Sequence, residues 1–228
     1  AARLDIDPVE FRRLNYHKDE EYPLVSVGGY SVQKMSLHKC LEVCTAIMNY
    51  EELRLEQKQK QKNKIYQGIG VATFVEAAAF GPAYYGPSGA RVSTQDGCTV
   101  KLEPSGVVRC LTSVTDQGQG TLTGIAQIVG DQLGVGMDKI DVMAGDSATT
   151  PYGGGAWASR GMAMGGEAAL QAGKALKDNI LYLAALILQT TADQLLLENG
   201  EIYELKTGES RMDLAELAKI GYFRQDTL

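Results

Sequence analysis

Two stretches of this chain place glycines directly ahead of a helical pattern. The first is Asp116-Gln117-Gly118-Gln119-Gly120, and the second runs from Gly153 to Gly166. Glycine lets a backbone approach a ligand closely. The first turn of a helix presents unpaired N–H groups and the positive end of the helix dipole. Together these features seat an anion such as a phosphate. Gln117 and Gln119 add amides that donate and accept, Ser159 adds a hydroxyl, and Arg160 brings a planar fork suited to phosphate oxygens. No Gly-Lys-Ser/Thr follows either loop, so the nucleotide P-loop is excluded, and neither loop fits the dinucleotide fingerprint cleanly. Loops of this kind also serve as plain turns or as close helix contacts. On residue types alone both readings stand.

Other chemistry is thinner. Glu76, Asp116 and Asp146 lie at the ends of strand-like stretches near the loops, and each reads more readily as a cap or turn residue than as a base. Trp157, the only tryptophan, either walls the second loop or fills the core. The two histidines, His17 and His38, leave little material for a Ser-His-Asp triad or a zinc site and read as solvated surface residues. The four cysteines, Cys40, Cys44, Cys98 and Cys110, form no Cys-x-x-Cys pair and read as reduced structural thiols ahead of a disulfide or a metal site.

The elements that must position the loops follow from periodicity. Asp7-Pro8 reads as an N-cap and first helical residue, opening a helix to about Leu14. Val32–Met48 carries apolar residues at helical spacing, and Tyr50–Lys64, rich in Glu, Gln and Lys, reads as a solvated helix. Ile65–Phe80 reads as a buried strand and Gly81–Gly89 as a loop. Ala90–Gln95 and Thr99–Glu103 read as a hairpin turning at Asp96-Gly97. Val107–Val114 and Ile140–Ala144 are expected strands, with Thr121–Leu133 a helix between them. Ala168–Leu188 is a long helix, Leu195–Leu205 a hairpin turning at Asn199-Gly200, and Asp213–Lys219 a last helix capped near Gly221. Strands, helices and antiparallel hairpins together predict an α+β fold, a two-layer α/β sandwich with a mixed sheet from about residue 65, preceded by an N-terminal helical arm.

With 44% hydrophobic residues in 228, a core can form; a formal charge of −6 disfavours nucleic-acid binding, which needs Lys and Arg on phosphates. No apolar run approaches the roughly 18–20 residues that span a bilayer, and the start resembles no signal peptide, so no membrane partner and a cytoplasmic location are expected. The ends suggest an excised segment: the chain opens within a helix-like stretch and closes soon after another.

Four segments, in order, resemble the large subunit of the molybdenum hydroxylases, the xanthine dehydrogenase, aldehyde oxidase and carbon monoxide dehydrogenase-like family. Asp7-Pro8-Val9-Glu10-Phe11-Arg12-Arg13-Leu14-Asn15 resembles the stretch that closes one cofactor-binding domain. Gly68-Ile69-Gly70-Val71-Ala72-Thr73-Phe74-Val75-Glu76 resembles the opening of the next. Asp116–Gly120, followed by Thr123 and Ala126-Gln127-Ile128, resembles the family's Gly-Gln-Gly loop and its helix. Asp146–Arg160 resembles its second cofactor loop.

The resemblance implies a helical arm over residues 1–64 and a second molybdopterin-binding domain over 65–228, incomplete at its C-terminus. It implies a molybdenum–pterin cofactor, often in a cytosine dinucleotide form, and oxidation of a carbon centre with water as the oxygen source. Electrons would leave through 2Fe-2S and FAD groups on partner subunits or domains. Gly118, Gln119, Gly120, Thr123, Ala158, Ser159 and Arg160 would face the cofactor, with the Ala158 backbone near molybdenum. The family's base, a glutamate in a Gly-Glu segment, and its upstream Gly-Gly loop have no counterpart here. The isolated chain is therefore expected to be inactive, its partners being the rest of the large subunit and the iron–sulfur and flavin subunits. A scaffold or assembly domain that keeps the fold without cofactor is the alternative.

Overall fold

The computed structural model describes residues 1–27, 31–76, 78–79, 93–224 and 226. It divides into two compact units, Ala1–Val75 and Glu76–Leu228.

In the first unit, helix α1 spans Pro8–Asn15 with Asp7 as its N-cap. The Asp7 carboxylate accepts from the Val9 N–H at 2.8 Å and from the Tyr50 hydroxyl at 3.0 Å. Helices α2 (Leu37–Ile47) and α3 (Tyr50–Lys62) follow. Val9, Leu41 and Tyr50 bury one another, with Ile69 and Val71 packed against them. A short ribbon pairs β1 (Leu24–Val25) with β2 (Ser31–Val32). His38 departs from its expected role as a solvated residue: its ring stands edge-on to Tyr16 at 5.5 Å and its Nε2 is buried.

The expected strand over Ile65–Phe80 does not form in its described part, and Ala77 and Phe80 lie outside the described residues. The described run is largely exposed, with Phe74 at 80%. β-branched and apolar residues favour extended backbone, but a strand also needs a neighbouring ladder. Among the described residues, no sheet takes this segment as a partner.

Among the described residues, the second unit holds two three-stranded sheets. In the first, β3 (Cys98–Leu102) pairs antiparallel with β4 (Val108–Thr112), and β4 pairs parallel with β5 (Ile140–Met143). Along β4, Val108, Cys110 and Thr112 are buried while Arg109 is exposed, the two-residue period of a half-covered strand. The parallel pair needs a crossover, which helix α4 (Thr121–Leu133) supplies. Ile125, Val129 and Leu133 lie on one stripe of α4 and are fully buried. Helix α5 (Gly166–Leu188) adds Ala169, Ile180, Ala184 and Ala185 to the same core. Glycine lets these helices approach: a Cβ at Gly173 would stand 3.1 Å from the Gln132 side chain. The second sheet is a meander of β6 (Leu195–Glu198), β7 (Glu201–Glu204) and β8 (Ser210–Asp213). Asn199 and Gly200 take φ 51 and 75 at its first turn, as an Asn-Gly hairpin requires. Helix α6 (Leu214–Phe223) closes the unit, capped by Asp213. The unit is α+β with a mixed sheet and a helical layer, as the sequence pattern predicts.

Three local expectations are corrected. The hairpin turns between Leu102 and Val108, not at Asp96-Gly97, because Asp96 is buried beneath the second glycine loop. Of the strand expected over Ala90–Gln95, residues 93–95 are not strand and 90–92 lie outside the described residues, as does the expected loop Gly81–Gly89. Gly221 lies inside α6 and does not cap it. Cys40, Cys44, Cys98 and Cys110 are free thiols, with the sulfurs of Cys98 and Cys110 3.3 Å apart. Among the described residues, no helix is long and apolar enough to cross a membrane.

Candidate functional site

The chain leaves β4 at Thr112 and reaches α4 through Asp116–Gly120. Gly118 and Gly120 have φ 98 and 80, the left-handed region that glycine enters without cost. The Asp116 carboxylate ties the turn together, accepting from the Gly118 N–H at 2.6 Å and the Leu122 N–H at 3.2 Å. Gln119 folds back on its own loop: its Nε2 donates to the Thr121 hydroxyl at 2.8 Å and to the Thr115 carbonyl at 3.3 Å, and its Oε1 accepts from the Gln117 N–H. The Gln117 amide reaches across to the Ala156 carbonyl at 3.4 Å, joining this loop to the second.

Donation from the Gly118 N–H, and then from the Leu122 N–H, holds the Asp116 carboxyl below the ordinary aspartate range. A carboxylate lowered on folding stabilises the fold at pH above its unfolded value, and that contribution is lost as pH falls through the folded value. The Gly118 and Leu122 amide resonances are thus expected to stay put from neutral pH down to the ordinary aspartate range and to shift together below it. A joint shift already complete above that range would remove Asp116 from its capping role.

The second loop ends earlier than its glycines suggest. Gly161–Gly165 is a wide π-helical turn that runs directly into α5, so the loop stops at Arg160. Single π turns of this kind recur at functional sites. Within the loop, Ala158 and Ser159 take φ 50 and 51. Each non-glycine residue held there costs roughly 1–2 kcal/mol, and such strain collects at ligand clamps and active sites. The Ser159 hydroxyl donates to the Glu76 carboxylate, and the Ser159 carbonyl accepts from the Ala79 N–H at 3.3 Å.

Arg160 does not offer its fork to solvent. Its side chain is 0% exposed and its Nη2 lies 2.7 Å from Asp96 Oδ2, also 0% exposed. That contact is an ion pair with poor hydrogen-bond alignment, since neither atom otherwise finds a partner. Arg160 Nη1 donates to the Gly155 carbonyl at 2.8 Å, and the guanidinium lies 5.5 Å from the Trp157 ring centre. Asp96 Oδ1 accepts from the Ser113 hydroxyl at 2.8 Å and the Gly154 N–H at 3.2 Å. The Trp157 indole N–H donates to the Gly154 carbonyl at 2.7 Å.

The two loops face one cleft of about 470 Å³, lined by Gln117, Gln119, Thr121 and residues 156–162. Of the residues singled out from the sequence, Gln119, Ala158, Ser159 and Arg160 line it. Gly118 and Gly120 shape the first loop without lining the cleft. Thr123 is exposed on the first turn of α4, off the cleft wall. Sequence reading missed Thr121, Ala156 and Met162, and Asp96 above all, whose Asp-Gly context imitates a turn. Among the described residues, the lining holds one cation, Arg160, and Asp96 pairs with it. An anion here would be held by N–H groups, amides and hydroxyls. Among the described residues, no group of three or more His, Cys, Asp or Glu side chains could hold a metal ion.

Comparison with known proteins converges on one family. A family described as a molybdopterin cofactor-binding domain matches residues 43–228. The nicotine 6-hydroxylase large subunit of Paenarthrobacter nicotinovorans is 28% identical over 98% of this chain and 27% of its own length. The carbon monoxide dehydrogenase large chain of Hydrogenophaga pseudoflava is 28% identical over 86% of this chain and 24% of its own. The crystal structure of quinoline 2-oxidoreductase from Pseudomonas putida 86 superposes with a TM-score of 0.74 at 28% identity, covering 100% of this chain and 29% of that one. The chain thus spans about a quarter of the length of the curated relatives it matches.

Proposed function

Because this chain belongs to the molybdopterin cofactor-binding domain family, the molybdenum-binding region of molybdenum hydroxylase large subunits, we propose that its two glycine loops hold one side of a molybdenum–pterin cofactor. The observation that carries this reading is the convergence of Gln119, Ala158 and Ser159 on one cleft. In the complete subunit the cofactor, in a cytosine dinucleotide form, would supply the two-electron oxidation of a carbon centre with oxygen from water. Electrons would pass to 2Fe-2S and FAD groups on partner subunits, in the cytoplasm. Residues 1–64 form the arm that closes the preceding cofactor-binding domain, and 65–228 belong to the second.

The chain's own residues bind and orient. Gln119, whose amide now bonds Thr121 and Thr115, would turn its amide to the ligand, with the Thr121 hydroxyl beside it. The left-handed pair Ala158–Ser159 brings backbone close to the ligand with only a methyl and a hydroxymethyl in the way. Trp157 and Met162 exclude water from one wall. Gly118 and Gly120 permit the turn that aims Gln119, and Thr123 serves at the edge of the helix N-terminus. The residue that moves the substrate proton lies elsewhere in the large subunit.

Gln119→Ala in the full-length subunit is expected to lower molybdenum and pterin content on the order of tenfold, with an unchanged circular dichroism spectrum. Unaltered content and turnover would sink the role of Gln119. A wild-type complex, folded and matured, that contains no molybdenum or pterin would favour the scaffold reading.

A further inference from the structure

We propose that Asp96 is a positioning residue of the cofactor loop: acting through Arg160, it holds the strained Ala158–Ser159 pair in place against the cleft. This rests on the reading of the cleft as the cofactor seat.

Several observations meet at Asp96. Its side chain is fully buried, yet it lies in none of the strands, helices or glycine loops that the family pattern marks. Its two oxygens take an ion pair from Arg160, a hydroxyl from Ser113 and the N–H of Gly154. The neighbouring Gln95 carbonyl accepts from the same Gly154 N–H at 2.9 Å. The segment behind the loop therefore grips it at Gly154 and, through the guanidinium, at Arg160.

Arg160 closes the bracket. Its Nη1 returns to the Gly155 carbonyl, so a single side chain spans the turn from 155 to 160. The left-handed residues 158 and 159 lie inside that span, with Trp157 hydrogen-bonded to Gly154 beneath them. The fit is close: a Cβ on Gly153 would overlap Ser113 and Asp96, and one on Gly154 would stand 2.6 Å from Arg160 Nη1.

A buried ion pair is a poor choice for stability alone, because desolvating two charges offsets their attraction and an apolar pair of similar volume serves as well or better. What it supplies is a fixed geometry. A non-glycine pair in the left-handed region relaxes unless its surroundings over-determine it. Held rigidly, the Ala158 and Ser159 backbone is ready for the ligand before it arrives, and less ordering is left to be done on binding. Asp96 itself needs no contact with the ligand.

The test uses the full-length holoenzyme with Asp96→Asn, Asp96→Glu and the neutral double variant Asp96→Asn/Arg160→Gln, beside wild type. Pterin and molybdenum retained after prolonged dialysis are measured, together with the Mo(V) electron paramagnetic resonance spectrum of the retained fraction. Asp96→Asn and the double variant are expected to weaken cofactor retention roughly 10–100-fold, the usual effect of removing a group that orients a ligand contact. Their Mo(V) spectra should be altered, and Asp96→Glu should recover part of the loss. The double variant, which leaves no orphan charge, carries the test if Asp96→Asn fails to fold. Folded variants with wild-type retention and spectra would overturn the positioning role alone. Failure of the double variant to fold would also overturn it, since the pair would then be a condition of the fold. A wild-type holoenzyme without pterin would overturn the cofactor reading, and this inference with it.

Discussion

Arg160→Met should lower the unfolding free energy by about 3–5 kcal/mol, the usual consequence of stranding one member of a buried ion pair. Asp96 would keep its bonds from Ser113 and the Gly154 N–H, but no cation would offset its charge in a fully buried position. The methionine fills much of the vacated volume, so the loss would be electrostatic rather than a packing defect. Adding Asp96→Asn should return most of the stability, although not the loop geometry. Urea denaturation of wild type and the two variants measures both steps. A loss under about 1 kcal/mol for Arg160→Met, or no recovery in the double variant, would show that solvent reaches the pair.

Ile125→Ala is the second large effect. Ile125 is fully buried at the N-terminal end of the stripe by which α4 meets the core. Truncation removes transfer free energy and leaves a cavity, together about 2–5 kcal/mol. Because Ile125 follows Thr121 by one turn, the damage should also reach the first glycine loop. Hydrogen exchange at the Gly118 and Leu122 amides should quicken by more than global unfolding explains. Equal quickening throughout α4 and α5 would mean that the loop and the core open as one unit.

Much of the fold was legible because its signals are local. Thr121–Leu133 is bounded by glycines and carries its apolar residues at helical spacing, and the helix occupies those residues. Asn199-Gly200 requires a left-handed turn, and the chain makes one. The failures are of another kind. Asp96-Gly97 has the composition of a hairpin turn, but nothing local reveals that Arg160, 64 positions later, draws Asp96 inside. Ile65–Phe80 has the composition of a strand and finds no ladder among the described sheets.

The site was half legible for the same reason. Glycines ahead of helices located both loops, and the cleft lies between them. Residue type gave Arg160 to a phosphate, yet a guanidinium serves a carboxylate equally well, and burial decided between them. Gln119 and Ser159 were found by motif, whereas Thr121 and Met162 line the cleft through helix geometry that spacing alone does not single out.

The crowded back of the second loop also limits how this cleft could be re-shaped in the laboratory. Gly153 and Gly154 sit where a single added carbon meets Asp96, Ser113, Ser93 or Arg160, so a mutagenic library at those two positions would return mostly misfolded clones. Gly118, Gly120 and Gly155 have open space beside them but backbone angles that other residues adopt only under strain. Diversity is cheap instead at Gln117 and Met162, exposed side chains on the cleft wall outside the ion-paired bracket. Directed evolution towards bulkier ligands should therefore accumulate its changes at those rim positions and leave the glycines untouched.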